Sequence, residues 1–419
     1  MNTSEVTVRW FEMQCGLLGE KLGHSYSPQI HGLLADYEYS LFEKAPDEVE
    51  QFVRRGDWHG LNVTIPYKKT VIPCCDELSE TAKIIGSVNT LLRREDGSIY
   101  GDNTDAFGFE MLLNSVLPGA ELSGKKALVL GTGGASVTVC AVLRRHGAEV
   151  IAISRTGENN YQNITRHEDA FLIANTTPLG MFPNNGEKAV DLAVFPDLAA
   201  VLDVVYNPAR TALLLQAEQL GIPHAGGLLM LVAQAKRSAE LFLGKALPDS
   251  EINRITDLLC FQMQNLILIG MPGSGKTTVA ALLAKKLERP LREADAEIET
   301  AAGMSIPEIF RQEGEAGFRR RETAVLAQLG KQSGLVISTG GGCVTRAENY
   351  PLLHQNGTII RLIRDTDRLA REGRPLSLHT DLKQMEAQRN PFYEQFADLT
   401  VDNNGSTEDT AAAILEALK

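Results

Sequence analysis

What the chain lacks narrows it first. Its 419 residues hold six cysteines, at 15, 74, 75, 140, 260 and 343, with no CxxC pair and no Cys/His cluster. That excludes a cysteine-ligated metal site and a disulfide-stapled fold. Scattered reduced thiols are the reading that remains, and the adjacent Cys74 and Cys75 are expected to pack rather than do redox chemistry. No uninterrupted apolar run approaches the roughly 20 residues that span a bilayer. The start, MNTSEVTVRWFEMQCG, is polar and has no long apolar core, so no secretory signal is expected and a cytoplasmic location is. An excess of basic charge is missing too: 41 Lys and Arg stand against 53 Asp and Glu, a net charge of -12. That sets aside an electrostatic nucleic-acid binder. Internal repeats and low-complexity tracts are absent.

What is present is enough apolar residue, 43% of the chain, to bury proper cores. At about 150 residues per domain the length predicts two or three of them. Alternating strand and helix patterns favour α/β architecture with parallel sheets. Three short apolar runs, Ala127–Leu130, Leu266–Ile269 and Val336–Ile337, each lead into a glycine cluster and then a helical pattern. Strand, glycine loop and helix in that order place backbone N–H groups and a helix N-terminus at a phosphate. Two of the loops carry different nucleotide signatures, so two nucleotide sites are expected. The best boundary lies at Gly244–Asn265: Leu228–Leu243 reads as an amphipathic helix, Pro248-Asp249-Ser250 supplies a break and an N-cap, and Leu266 opens a fresh strand. Residues from 265 onward hold 19 basic and 21 acidic side chains, leaving 22 and 32 before them, so the acidity belongs to the first part.

In the second part, Gly270-Met-Pro-Gly-Ser-Gly-Lys-Thr277 satisfies G-x-x-x-x-G-K-[ST] between a strand and a helix. The backbone of Gly273, Ser274 and Gly275 can curl around a phosphate. Lys276 reaches the terminal phosphates, Thr277 offers its hydroxyl to Mg²⁺, and Thr278 continues the cradle. About 150 residues suit a minimal nucleoside-monophosphate-kinase-like fold. The run Glu293-Ala-Asp295, Phe318-Arg319-Arg320, Ser338-Thr-Gly-Gly-Gly342, Arg374-Pro375-Leu376 and Arg389-Asn-Pro-Phe-Tyr393 resembles shikimate kinase in order and spacing over 265–419. The resemblance implies Asp295 as the carboxylate at the acceptor hydroxyl and Arg319 and Arg389 as a clamp on the shikimate carboxylate. It puts Gly341 and Gly342 against the ring and Arg374 in a lid over the transferring phosphate, with Arg371 as a second lid arginine. Glu293 stands where the family usually has aspartate helping Mg²⁺.

In the first part, Gly131-Thr-Gly133-Gly134-Ala135-Ser136 follows a strand, with serine in place of the third glycine of the dinucleotide fingerprint. A second strand, Glu149–Ile153, ends in Ser154-Arg155-Thr156 where an NAD enzyme would place an acid. Arginine between two hydroxyls attracts a 2′-phosphate, so NADP is favoured over NAD. Gly23-His24-Ser25-Tyr-Ser27 offers two hydroxyls before a helix, and Gly60-Leu-Asn62-Val-Thr64-Ile-Pro-Tyr-Lys68 delivers polar groups and a lysine into a loop. Ser87-Val-Asn89-Thr90 and Asn103-Thr104-Asp105 add amides and a carboxylate. Together these segments resemble shikimate dehydrogenase over about 11–260. The resemblance implies Lys68 and Asp105 as the catalytic pair and Ser25 and Ser27 as carboxylate binders. Asn62, Thr64, Asn89 and Gln234 become ring contacts, while Asn175-Thr-Thr177, Tyr206, Gly227 and Met230 surround the nicotinamide. It makes His24 and His31 scaffold. The short stretch 157–174 predicts that the nucleotide lobe lacks part of a strand–helix unit.

The expectation is therefore a two-lobed dehydrogenase, with substrate lobe 1–106 plus 228–260 around a Rossmann-like NADP lobe 107–227, followed by a P-loop kinase domain at 265–419. The implied reactions are NADPH-dependent reduction of 3-dehydroshikimate and phosphorylation of shikimate by MgATP. No nucleic-acid or membrane partner is expected, and a homo-oligomer is left open. Two alternatives are a quinate/shikimate dehydrogenase fused to a kinase of other specificity, and a chain in which one half is a non-catalytic nucleotide-binding module.

Overall fold

The computed structural model describes residues 13–23, 25–119, 121–369 and 382–418. Arg371, Arg374 and His24 lie outside them. The chain falls into two compact units. The first holds the described residues up to Leu259, apart from Phe182–Asn185 and Asn207–Ala212; the second holds those two short segments and everything from Cys260. The passage from one to the other lies inside the helix Ser250–Met263. Asp249, just before that helix, takes an ion pair from the buried Lys236 at 2.6 Å.

Two sheets build the first unit. One is mixed and six-stranded, in the order Glu38–Glu43, Gln14–Gly19, Gly60–Val63, Thr90–Arg93, Ile99–Asp102, Glu77–Leu78. Strand Gly60–Val63 pairs parallel with Gln14–Gly19 and antiparallel with Thr90–Arg93, which puts Asn62 beside Thr90. The other sheet is parallel and five-stranded, in the order His224–Ala225, Ala200–Asp203, Leu172–Asn175, Lys126–Leu130, Glu149–Ile153. Leu128, Val129, Leu130, Ile173, Ala174, Val201 and Leu202 are fully buried in it, as a parallel sheet covered on both faces requires. Between Glu149–Ile153 and Leu172–Asn175 the chain forms only a 3₁₀ turn, Ile164–His167, so this crossover lacks an α-helix, as the short stretch 157–174 predicts.

Helix Asp105–Val116 packs along helix Leu228–Leu243. The crossing is close because residue 108 is glycine: a Cβ there would lie 2.6 Å from the Met230 carbonyl. This contact brings Asp105, at the start of one helix, to the same cavity as Gln234 on the other.

The second unit carries a parallel five-stranded sheet in the order Leu291–Glu293, Val336–Ser338, Asn265–Ile269, Gly357–Ile363, Leu399–Asp402. Helix Lys276–Leu287 follows the central strand through the glycine loop. The long helix Ile306–Lys331 breaks its helical dihedrals at Gly314, where φ is +67°, a value glycine takes without the Cβ cost. That bend lets Ile306 and Phe310 before it, and Phe318, Arg319 and Glu322 after it, line one cavity. Among the described residues no helix is long and apolar enough to cross a membrane. The described cysteines are all free thiols.

Candidate active sites

In the first unit a cavity of about 270 Å³ is lined by Ser25, Ser27, Asn62, Thr64, Lys68, Asn89, Asp105, Ala135, Tyr206, Gly227, Met230 and Gln234, among others. Residues far apart in sequence meet here because strand ends and the N-termini of four helices converge. Lys68 leaves the loop after Gly60–Val63, and Asp105 opens its helix; Lys68 Nζ donates to Asp105 Oδ2 at 2.6 Å. The two side chains are mostly but not wholly shielded, at 17% and 11% exposure, so both remain reachable from the cavity.

The serine pair sits at the start of helix Ser27–Leu34, and the Ser27 N–H donates to Ser25 Oγ at 3.2 Å. Tyr206 meets Tyr26 edge to face at 6.0 Å. His31 is fully buried and stacked on Tyr39 at 4.0 Å, with Nδ1 2.5 Å from the Tyr37 hydroxyl. Burial pulls its pKa down to about 3. A neutral imidazole inside an aromatic stack serves the core, as the resemblance implied.

The glycine loop leaves strand Lys126–Leu130 with Gly131 at φ +106°. A Cβ there would press within 2.9 Å of Thr177 Cγ2. Open space surrounds Gly133, and the first neighbour of a Cβ at Gly134 would be Lys68 at 3.9 Å, which leaves room beside the loop. Ser136 is buried, and its hydroxyl donates to the Gly131 carbonyl at 2.8 Å. Its side chain therefore braces the loop, and its backbone is what a cofactor can approach. At the end of the next strand the Ser154 hydroxyl donates to the Thr156 carbonyl, while Arg155 and Thr156 are exposed. Among the described residues Arg155 makes no ion pair, so its guanidinium is open to an anion.

In the second unit a cavity of about 360 Å³ runs from Gly273, Gly275, Lys276, Thr277 and Thr278 to Asp295, Arg319, Gly341, Gly342 and Arg389. Gly270, Gly273 and Gly275 all have positive φ, which curls the loop around the head of helix Lys276–Leu287. Lys276 Nζ donates to the Gly270 and Met271 carbonyls, folded over the loop it would leave for a phosphate. The Ser274 hydroxyl is buried without a partner, so the loop holds an unmet polar group. Thr277 Oγ1 lies 3.3 Å from Ser338 Oγ. Glu293 pairs in register with Ser338 but does not line the cavity. Among the described residues no group of three or more His, Cys, Asp or Glu gathers that could hold a metal. A hydroxyl pair fits Mg²⁺, which keeps waters and leans on substrate phosphates more than on a protein cage.

One residue that sequence reasoning missed dominates the acceptor end. Glu322, with no exposure, accepts from Arg319 Nη1 at 2.7 Å, and Glu315 accepts from Nη2 at 3.3 Å. Burial pushes the Glu322 carboxyl above the usual carboxylate range, against the pull of Arg319. The three-residue spacing on one helix was the available signal. Arg389 Nη1 donates to the Gly341 carbonyl at 3.1 Å, and so does the Tyr393 hydroxyl. A Cβ on Gly340 would sit 2.9 Å from Glu322 Oε1 and 3.0 Å from Asp295 Oδ1, so the glycine strip runs directly past both carboxylates.

Comparison with known proteins agrees with both geometries. The family model "Shikimate dehydrogenase substrate binding domain" matches residues 17–91, and "Shikimate kinase" matches 272–419. The NADP(+)-dependent shikimate dehydrogenase of Clostridium perfringens is 35% identical over 268 residues, covering 58% of this chain and 98% of that protein. A chorismate mutase/shikimate 5-dehydrogenase fusion protein from Clostridium acetobutylicum superposes with a TM-score of 0.55 at 34% identity, over 59% of this chain and 97% of that one. Shikimate 5-dehydrogenase from Thermus thermophilus, solved with NADP(H) and shikimate, gives 0.52 at 30%, over 58% and 98%. The chain thus belongs to the shikimate dehydrogenase family and carries, fused after it, a shikimate kinase domain.

Proposed function

We propose that this chain catalyses two consecutive steps: reduction of 3-dehydroshikimate to shikimate, then phosphorylation of shikimate at the hydroxyl just formed. The observation that carries the first step is the 2.6 Å Lys68–Asp105 pair on the wall of a polar cavity beside the glycine loop. Reduction of a ketone leaves an alkoxide that needs a proton. Lys68 donates a proton to that oxygen and is reprotonated from solvent, while Asp105 orients the ammonium. Ser25 and Ser27 hold the substrate carboxylate, and Asn62, Thr64, Asn89 and Gln234 address the ring hydroxyls. Gly131, Gly133, Gly134 and Arg155 would hold NADPH, which when bound supplies the hydride.

The second step rests on the cavity joining the phosphate loop to Asp295 and the arginines. Lys276 and Thr277 would hold MgATP, which when bound supplies the phosphoryl group. Asp295 orients the attacking hydroxyl and accepts its proton. Arg319 and Arg389 bind the carboxylate through planar guanidinium groups. We assign the substrate lobe to 1–106 plus 228–260, the nucleotide lobe to 107–227 and the kinase to 265–419, acting in the cytoplasm. Neither a nucleic acid nor a membrane enters this reading.

The test is a one-pot assay with 3-dehydroshikimate, NADPH and MgATP, each nucleotide being omitted in turn. Shikimate 3-phosphate should accumulate only when both are present, and shikimate when MgATP is left out. Absence of a phosphorylated product would overturn the assignment.

A further inference from the structure

Behind the dehydrogenase cavity lies a cluster of three buried hydroxyls that does not line it: Thr90, Thr104 and Ser238, each 3.0 Å from the other two. Ser238 is fully buried on helix Leu228–Leu243, one turn beyond Gln234. Its hydroxyl has one proton and lies 2.9 Å from the Gln234 carbonyl, which can only accept. With that proton committed, Ser238 Oγ is an acceptor toward the group 2.7 Å away on Asn62. That group must be the amide nitrogen. The opposite end of the same amide agrees, since Asn62 Oδ1 accepts from the Tyr39 hydroxyl at 2.8 Å. Asn89 is fixed in the same sense: its Oδ1 accepts from the Thr104 N–H at 2.7 Å and from Thr90 Oγ1 at 3.1 Å.

We propose that Ser238 is a positioning residue for the reduction: together with Thr90 Oγ1, 3.3 Å from the same nitrogen, it holds the Asn62 amide with its carbonyl toward Tyr39 where Asn62 lines the cavity. Resting on the dehydrogenase reading above, the proposal adds to it the buried hydroxyl that fixes how Asn62 is presented. Both amides are held at both ends within the protein, the Asn89 nitrogen lying 3.0 Å from Thr104 Oγ1 and 3.5 Å from Gln234 Oε1.

The test is a double-mutant cycle in the full-length chain, following shikimate oxidation by NADP. Ser238→Ala should raise KM for shikimate about tenfold, the scale of one lost hydrogen bond. KM for NADP and the phosphorylation rate of the same preparation should not change. Because Ser238 acts through Asn62, adding Ser238→Ala to Asn62→Ala should cause no further loss. Should the alanine variant fail to fold, Ser238→Cys, close in size and a weak donor and acceptor, enters the same cycle with a smaller rise expected. Additive effects, an unchanged KM for shikimate, or equal rises in both KM values would overturn the proposal. A wild-type chain with no reductase activity would instead overturn the reading beneath it.

Discussion

At the scale of single residues, chemistry is set by what each side chain has left to offer. Arg155 is exposed, with no acid paired to it, at the end of a nucleotide-lobe strand. Arg155→Ala should raise KM for NADP by roughly tenfold, about 1.4 kcal/mol of a charge-assisted contact, and leave KM for NAD unchanged. Steady-state titration of both cofactors checks this, and equal rises would count against it. His31 shows the opposite case, a residue whose chemistry has been removed by burial. Its pKa of about 3 lies below the unfolded value near 6.5, so the unfolded chain binds the extra proton between those limits. His31 therefore contributes stability in full above pH 6.5, and that contribution is lost as pH falls toward 3. The expected slope approaches about 1.4 kcal/mol per pH unit. Denaturant unfolding of the wild type and His31→Phe between pH 7 and 5 should give diverging curves, the variant losing the steeper part. Parallel curves would show that the imidazole is not held neutral.

Elements place these residues, and small side chains decide how closely the elements approach. Gly342 has φ of -108°, open to any residue, yet a Cβ there would run into the Arg319 guanidinium. Arg319 has little freedom to yield, because Glu322 and Glu315 hold two of its nitrogens. Gly342→Ala should therefore raise KM for shikimate in the phosphorylation assay about tenfold or more, while KM for ATP stays put. An unchanged KM for shikimate would mean that the guanidinium repacks freely. Element boundaries were largely legible in the sequence: Glu149–Ile153 and Leu228–Leu243 occur with the expected limits, and Ala127–Leu130 and Leu266–Ile269 fall one residue inside the strands Lys126–Leu130 and Asn265–Ile269. So was the thin crossover after Ile153, from chain length alone. Glu322 was not read, because a buried carboxylate looks in sequence like any solvated helix residue three positions from an arginine.

For the molecule as a whole, one chain carries two cavities with separate nucleotide loops. Lys68→Ala should lower reduction by about 10²–10⁴-fold, the range for a lost proton donor, and leave phosphorylation intact. Lys276→Ala should abolish phosphorylation and spare reduction. Both rates measured on each variant decide the matter, and a joint loss would show that the two chemistries are not independent. The net charge of -12 takes a different meaning at this scale. It is concentrated before residue 265, while the nearly balanced kinase gathers Arg319 and Arg389 at one cavity.

The sequence by itself determined the order of the domains, both glycine loops and many of the polar side chains that line each cavity. Glycines at forced backbone positions and runs of apolar strand residues are local signals, and local signals survive in one dimension. Only the tertiary structure decided which polar groups remain available. Ser136 turns its hydroxyl back on its own loop, and Glu322 sinks beneath Arg319. Asn62 spends both ends of its amide on Tyr39 and Ser238 before a substrate arrives. Their partners lie as much as 176 residues away in the chain. A hydrogen bond is short-ranged in space and blind to separation along the backbone, so folding had to bring those partners together first.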